Sequence, residues 1–159
     1  MECRPCAVIP PATKRLSIFD SNVAGGYFLA HERTEYESFL DHLPGPYFVV
    51  EDEDEVVACG GFAAHKSEAG AVSLCWGMVT LERHKRGLGR FLLIERLNRL
   101  RTNTSARVVV VNTSQHSRGF FSKMGFETHR VVQDSISPGV DLHEMRIPVA
   151  SLRPWVSPS

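Results

Sequence analysis

Apolar and polar positions alternate over residues 14–20 (KRLSIFD), with Leu16 and Ile18 on one side, and the pattern predicts a first β-strand. Residues 22–29 read as a short helix or a turn, loosened by Gly25 and Gly26. Between 32 and 43, Tyr36, Phe39, Leu40 and Leu43 recur at helical spacing, and Pro44-Gly45-Pro46 closes that amphipathic helix. Residues 47–50 and 56–64 predict two strands of an antiparallel hairpin. Its acidic turn, Glu51 to Glu55, is expected to be a solvated tip without a function. Gly60-Gly61 within the second strand marks a bulge or tight packing against a neighbour. Residues 71–79 (AVSLCWGMV) are almost continuously apolar, as in a central strand, and Gly77 suggests another bulge.

The second half opens with the clearest helix, 88–102. Leu93, Leu97 and Leu100 form a stripe widened by Leu88, Phe91 and Leu92, and Glu95 and Arg99 form an i,i+4 pair. Arg96, Arg99 and Arg101 suit the helix C-terminus and are expected to need no partner beyond solvent. Residues 108–111 are a short β-branched strand, and 114–124 a short helix with Phe120, Phe121 and Met124 inward, ended by Gly125. Residues 126–132 and 142–149 make the final strands, separated by a polar turn at 137–139. The order is β-α-α-β-β-β-α-β-α-β-β: an α/β fold with a mixed sheet, since a meander leads into a βαβ crossover. Residues 1–13 resist regular assignment, and 150–159 are expected to be a tail.

At 159 residues the chain is sized for one domain. Lysine plus arginine and aspartate plus glutamate number 18 each, and this neutrality argues against nucleic-acid binding. No apolar stretch approaches the ~20 residues that span a bilayer, and no signal-like apolar core opens the chain, so the expectation is a cytoplasmic protein. Cys59 and Cys75 lie in apolar runs, as free thiols do. Cys3-x-x-Cys6 has no second pair and no suitably spaced histidines, so no metal site is expected.

One stretch departs from neutrality. Arg83, His84, Lys85, Arg86 and Arg90 surround Gly87-Leu88-Gly89, directly ahead of the 88–102 helix. Glycines let backbone approach a ligand closely, and the unpaired N–H groups of a first helical turn bind anions. The combination points to a phosphate-bearing ligand. The loop lacks the Gly-Lys-Ser/Thr ending of a P-loop. It also lacks the third glycine of the dinucleotide fingerprint, since Leu92 stands there.

The loop resembles the acetyl-CoA loop of the GNAT family of N-acetyltransferases, in which a strand-end valine leads to Arg/Gln-x-x-Gly-x-Gly/Ala. Val79 matches the valine, and Gly87 and Gly89 match the glycines. His84 replaces Arg or Gln, and Leu81 replaces a common proline. A second block, Val111-Asn112-Thr113-Ser114 through Phe120-Phe121 to Gly125-Phe126, is similar to the family's strand, Asn, short helix and Phe-Tyr-x-x-x-Gly-Phe. The resemblance runs from about residue 14 to 149 and implies a single GNAT-like domain. Its mixed, mostly antiparallel sheet would be flanked by helices, with splayed central strands forming the acyl-CoA cleft.

The resemblance also implies site roles. Backbone of Met78, Val79 and Leu81 would pair with the pantetheine arm, and the N–H groups of Arg86, Gly87, Leu88, Gly89 and Arg90 would meet the pyrophosphate. Asn112 and the start of the 114–124 helix would border the other side of the cofactor. The implied reaction moves an acetyl group directly from acetyl-CoA, the cosubstrate, to the primary amine of a small molecule, an amino acid or a protein. The Val79 N–H would polarise the thioester carbonyl.

The proton-transfer groups do not carry over. Phe121 stands where many relatives have a tyrosine acid, and 71–79 holds no carboxylate, with Ser73 near that acid's place. Ser114 and Ser117 are candidate thiolate partners, while His116, His65 and Glu82 are weaker candidates. These gaps leave open a second reading, a non-catalytic acyl-CoA-binding sensor. Glu32, Glu35 and Glu37 could draw in a cationic acceptor. Either a monomer or a homodimer is compatible with the sequence.

Overall fold

A computed structural model describes residues 2–5, 12–102 and 105–154. Cys6, Pro10 and Pro11 lie outside the described residues, as does 155–159 of the expected tail. The elements run β1 (Glu2–Pro5), α1 (Ala12–Ala24), α2 (Glu32–Asp41), β2 (Tyr47–Asp52), β3 (Glu55–Ala64), β4 (Ala71–Val79), α3 (Leu88–Arg101), β5 (Val108–Ser114), α4 (Arg118–Lys123), β6 (Glu127–Ser137) and β7 (Val140–Pro148). The sheet order is β1-β2-β3-β4-β5-β7-β6. The β4–β5 pairing is parallel, and the other described pairings are antiparallel. The chain divides into two compact units: Met1–Ala63 with Cys75–Arg99 and Pro154–Ser159, and Ala64–Leu74 with Leu100–Arg153.

In the first unit the expected order of elements holds, but its first strand is elsewhere. Residues 14–20 belong to helix α1, not to a strand. The buried positions are Arg15, Ile18, Phe19 and Asn22, a helical repeat whose two polar members hid it from an apolar count. The first strand is instead Glu2–Pro5, inside the stretch read as irregular, with Cys3 opposite Val50 of β2. The β2–β3 hairpin turns on Glu53 and Asp54, at φ 50° and 64°, as two-residue turns between twisted strands require. Alternate residues of β2 serve two cores. Tyr47 and Val49 join Ile18, Phe19, Tyr36, Cys59 and Met78, while Val50 joins Val57, Ala58, Leu88, Phe91 and Leu92 of α3.

Helix α3 begins as predicted and ends one residue early, at Arg101, with Arg99 paired to Glu95 at 2.7 Å and its guanidinium 4.6 Å from the Phe48 ring. Arg96 corrects the expectation that the arginines face solvent. It is 4% exposed, and burial pushes its guanidinium down to about 10, still charged at neutral pH. The space it fills is left by two glycines. A β-carbon at Gly60 would sit 3.2 Å from the guanidinium, and one at Gly77 only 2.7 Å. Tight packing is thus the outcome at both positions, and β4 runs unbroken past Trp76, although φ there is 41°.

A buried polar chain crosses the α1–α2 core. The Tyr36 and Tyr47 hydroxyls are 3.0 Å apart, Tyr47 donates to the Trp76 carbonyl at 2.9 Å, and Cys59 Sγ lies 3.4 Å from the Tyr36 hydroxyl. Burial pushes both phenols well above their ordinary value of 10.0. The neutral phenols therefore contribute stability in full below that value and lose it as pH rises beyond, because the unfolded chain ionises first. Denaturant midpoints measured from about pH 8 to pH 11 should fall above about pH 10, with a shallower fall in Tyr36→Phe. Equal slopes for the two proteins would contradict this coupling.

In the second unit, Ala71, Val72 and Ser73 of β4 pair with Val108, Val109 and Val110 of β5. Strand β5 pairs with β7 along its whole length, and β7 with β6. Val109, Val111, Met145, Ile147, Met124 and Phe126 are buried there. Helix α4 is shorter than expected, because Ser114 is still in β5, in register with Leu142. Phe120 is 37% exposed, not inward, while Met124 is buried and Gly125 takes φ 95° at the helix end.

Candidate active site

Strand β4 ends at Val79, and a short 3-10 turn at Leu81–Arg83 leads into the basic loop. The Thr80 N–H donates to Val57 of β3 at 2.8 Å. Lys85 and Gly87 both take positive φ, 61° and 82°, which turns the chain sharply before α3. The Phe91 N–H bonds the Gly87 carbonyl at 2.9 Å and so opens the helical ladder. The N–H groups of Leu88 and Gly89 precede it in the first turn, where no intrahelical acceptor exists. A β-carbon at Gly87 would meet nothing within 4 Å. The turn is thus a backbone cradle facing open space, of a kind suited to a phosphate group, and Lys85 and Arg86 beside it are exposed.

Not every cation of the run serves the cradle. Arg83 is bound by Asp52 at 2.8 Å, with Glu55 at 3.7 Å. The acidic hairpin expected to be functionless therefore anchors the loop. His84, at the Arg/Gln position, turns back to the strand end: its Nε2 lies 2.9 Å from the Val79 carbonyl, and its ring meets that of Tyr27 edge-on at 4.8 Å. Asn22 of α1 donates to the same carbonyl at 2.8 Å. Leu81 donates its N–H to Ser21 Oγ at 3.1 Å, so that group is already used within the protein. Met78 is buried, and Arg90 is exposed on the first turn of α3.

The other candidates, Glu82 apart, lie in the second unit. Asn112 is exposed on β5, opposite Glu144 of β7. Ser114 Oγ accepts the His116 N–H at 3.2 Å, which fixes a turn ahead of α4. Ser117 begins α4 but makes no side-chain cap, leaving its hydroxyl uncommitted to the helix. Phe121 is half-buried, edge-on to Phe126 at 5.5 Å. His116 is exposed, and His65 Nδ1 accepts the Ser67 N–H at 3.2 Å. Glu82 is exposed and accepts the Thr80 hydroxyl at 2.9 Å.

Sequence reading missed a carboxylate here. Glu144 is 8% exposed, with Arg146 Nε at 3.5 Å and His129 Nε2 at 3.9 Å, and Arg146 also binds Glu68 at 2.9 Å. The only sequence signal is an acid inside the alternating strand His143-Glu144-Met145-Arg146. The carboxylates expected to attract cations are partly engaged. Glu32 accepts the Leu29 N–H at 2.7 Å, and Glu37 pairs with Arg33. Among the described residues no cluster of metal-ligating side chains occurs, and no helix is long and apolar enough to cross a membrane.

Comparison with known proteins bears on this geometry. A model of the acetyltransferase (GNAT) domain matches residues 28–149. A GNAT-family acetyltransferase candidate from Desulfovibrio desulfuricans superposes with TM-score 0.74 at 23% identity, over 93% of this chain and 98% of its own. An aminoglycoside 6'-N-acetyltransferase in complex with coenzyme A gives TM-score 0.72 at 14% identity, over 94% and 97% of the two chains. A ribosomal-protein-alanine N-acetyltransferase from Brucella melitensis gives 0.70 at 18% identity, over 93% and 99%. At these identities the likeness is one of fold. A search of curated proteins gave no match. With the domain match covering most of the chain and both of its motif blocks, the protein belongs to the GNAT family of acetyltransferases.

Proposed function

We propose that the protein transfers an acetyl group from acetyl-CoA to a primary amine in a ternary complex. The observation that carries this reading is the Gly87 turn, with positive φ and open space where a side chain would stand. The N–H groups of Gly87, Leu88 and Gly89 would hold the pyrophosphate, aided by the charges of Lys85 and Arg86. The end of β4 at Met78 and Val79 would hold the pantetheine arm.

Acetyl-CoA supplies an activated thioester. The neutral amine attacks its carbonyl carbon, the C–S bond breaks, CoA leaves as thiolate, and the new amide nitrogen gives up a proton. The Val79 N–H is the proposed donor to the carbonyl oxygen. Ser117, whose hydroxyl caps nothing, is a better thiolate partner than Ser114, whose Oγ already accepts a hydrogen bond. Asn112 borders the cofactor in this reading. The acceptor is a small molecule, an amino acid or a protein amino group, and the setting is the cytoplasm.

The test is release of free CoA thiol from acetyl-CoA in the presence of a panel of primary amines and peptides with free N-termini. Amine-dependent release supports the transferase reading. Saturable acetyl-CoA binding without release for any amine would overturn it in favour of an acyl-CoA sensor.

A further inference from the structure

The Val79 carbonyl is an unusually crowded acceptor. A carbonyl oxygen has two lone pairs, and here both have donors: Asn22 Nδ2 at 2.8 Å and His84 Nε2 at 2.9 Å. The direction of this carbonyl follows from its peptide plane. The Thr80 N–H points to β3, where it donates to Val57, so the Val79 carbonyl points away from β3. On that side its donors come from α1 and the loop.

The two donors are held very differently. Asn22 is 2% exposed, and its Nδ2 also donates to the Ile18 carbonyl of its own helix at 2.9 Å. Its backbone carbonyl accepts the Tyr27 N–H at 2.9 Å. Moving Asn22 would disturb the helix, the turn after it and the strand end together. His84 sits on the loop, and the contacts that fix its ring are this hydrogen bond and the edge of Tyr27, itself 47% exposed.

We propose that His84 is a displaceable donor that competes with the pantetheine amide for the Val79 carbonyl, with Asn22 as the fixed donor that keeps the strand end in place. The inference rests on the acetyl-CoA reading above, in which backbone at Val79 pairs with the cofactor. A ligand amide N–H that bonds this oxygen takes one of two occupied lone pairs, and the loosely held imidazole is the one that yields. A protein whose binding-competent arrangement is only a fraction of the total binds with affinity reduced by that fraction. Removing the competitor removes that reduction.

The test is calorimetric titration with acetyl-CoA of the wild type, His84→Ala and Tyr27→Ala. His84→Ala should bind about fivefold more tightly, the worth of roughly one net hydrogen bond. Tyr27→Ala, which loosens the ring without touching the carbonyl, should bind about twofold more tightly. In parallel, the His84 Nε2–H signal in proton NMR, assigned by its loss in His84→Ala, should disappear when acetyl-CoA is added to the wild type. Equal or weaker binding by His84→Ala, or an Nε2–H signal that persists at saturation, overturns the proposal while leaving the cofactor reading intact. No binding by the wild type overturns the cofactor reading itself.

Discussion

Replacing Gly87 with valine is expected to abolish saturable acetyl-CoA binding, an affinity loss of about a hundredfold or more. Two effects combine. The valine side chain enters the open space proposed for the pyrophosphate, and its β-branch opposes the φ of 82° at the turn. Strain alone does not explain such a loss, and a second glycine separates the two causes. Gly139, in the β6–β7 turn, has φ 77° and the same open surroundings. Gly139→Val therefore carries similar strain far along the chain from the loop and should bind acetyl-CoA like the wild type. Calorimetry on both variants checks the contrast, and equal losses would mean that the cradle has no special part in binding.

Gly61→Ala should produce a large loss of stability, about 3 kcal/mol. The added β-carbon would lie 2.3 Å from the Pro46 carbonyl oxygen and 3.0 Å from Tyr47 Cα. Both obstacles are backbone and cannot rotate away. The approach is reciprocal, since a β-carbon at Gly45 would meet the Phe62 carbonyl oxygen at 2.4 Å. The Phe62 N–H donates to Pro46 at 3.1 Å, so the strain falls on the entry to β2. In a chain of this size the loss corresponds to a fall in Tm of roughly 10 °C. A Tm within about 2 °C of the wild type would show that the two segments are free to separate.

The elements legible in the sequence are those whose local signals agree with their burial. Helix α3 declared itself through a glycine turn ahead of it and a leucine stripe along it. The β2–β3 hairpin did so through two apolar runs around an acidic turn. Helix α1 failed because its buried face holds Arg15 and Asn22, and an apolar count reads the remaining Leu16 and Ile18 as alternation. Asn22 was invisible for the same reason, although it is the side chain that ties α1 to the end of β4.

Polar groups whose partners are distant in sequence were also hidden. Arg96 looks like an ordinary helix-end arginine until Gly60 and Gly77 are seen to leave room for its guanidinium. Glu144 meets His129 through the pairing of β6 with β7 and faces Asn112 through that of β5 with β7, while Arg146 stands two residues along its own strand. The Gly87 turn was readable because the role proposed for it falls to backbone, which needs glycines at fixed spacing. Proton-transfer side chains have no such spacing, so no sequence pattern marks them.

The most direct test follows the backbone amides of isotope-labelled protein during titration with acetyl-CoA. Gly87, Leu88 and Gly89 should show the largest shifts, with Val79 close behind, and all should saturate together. Saturable shifts confined to other parts of the chain, with these four residues unmoved, would contradict the assignment of the Gly87 turn as the acetyl-CoA cradle.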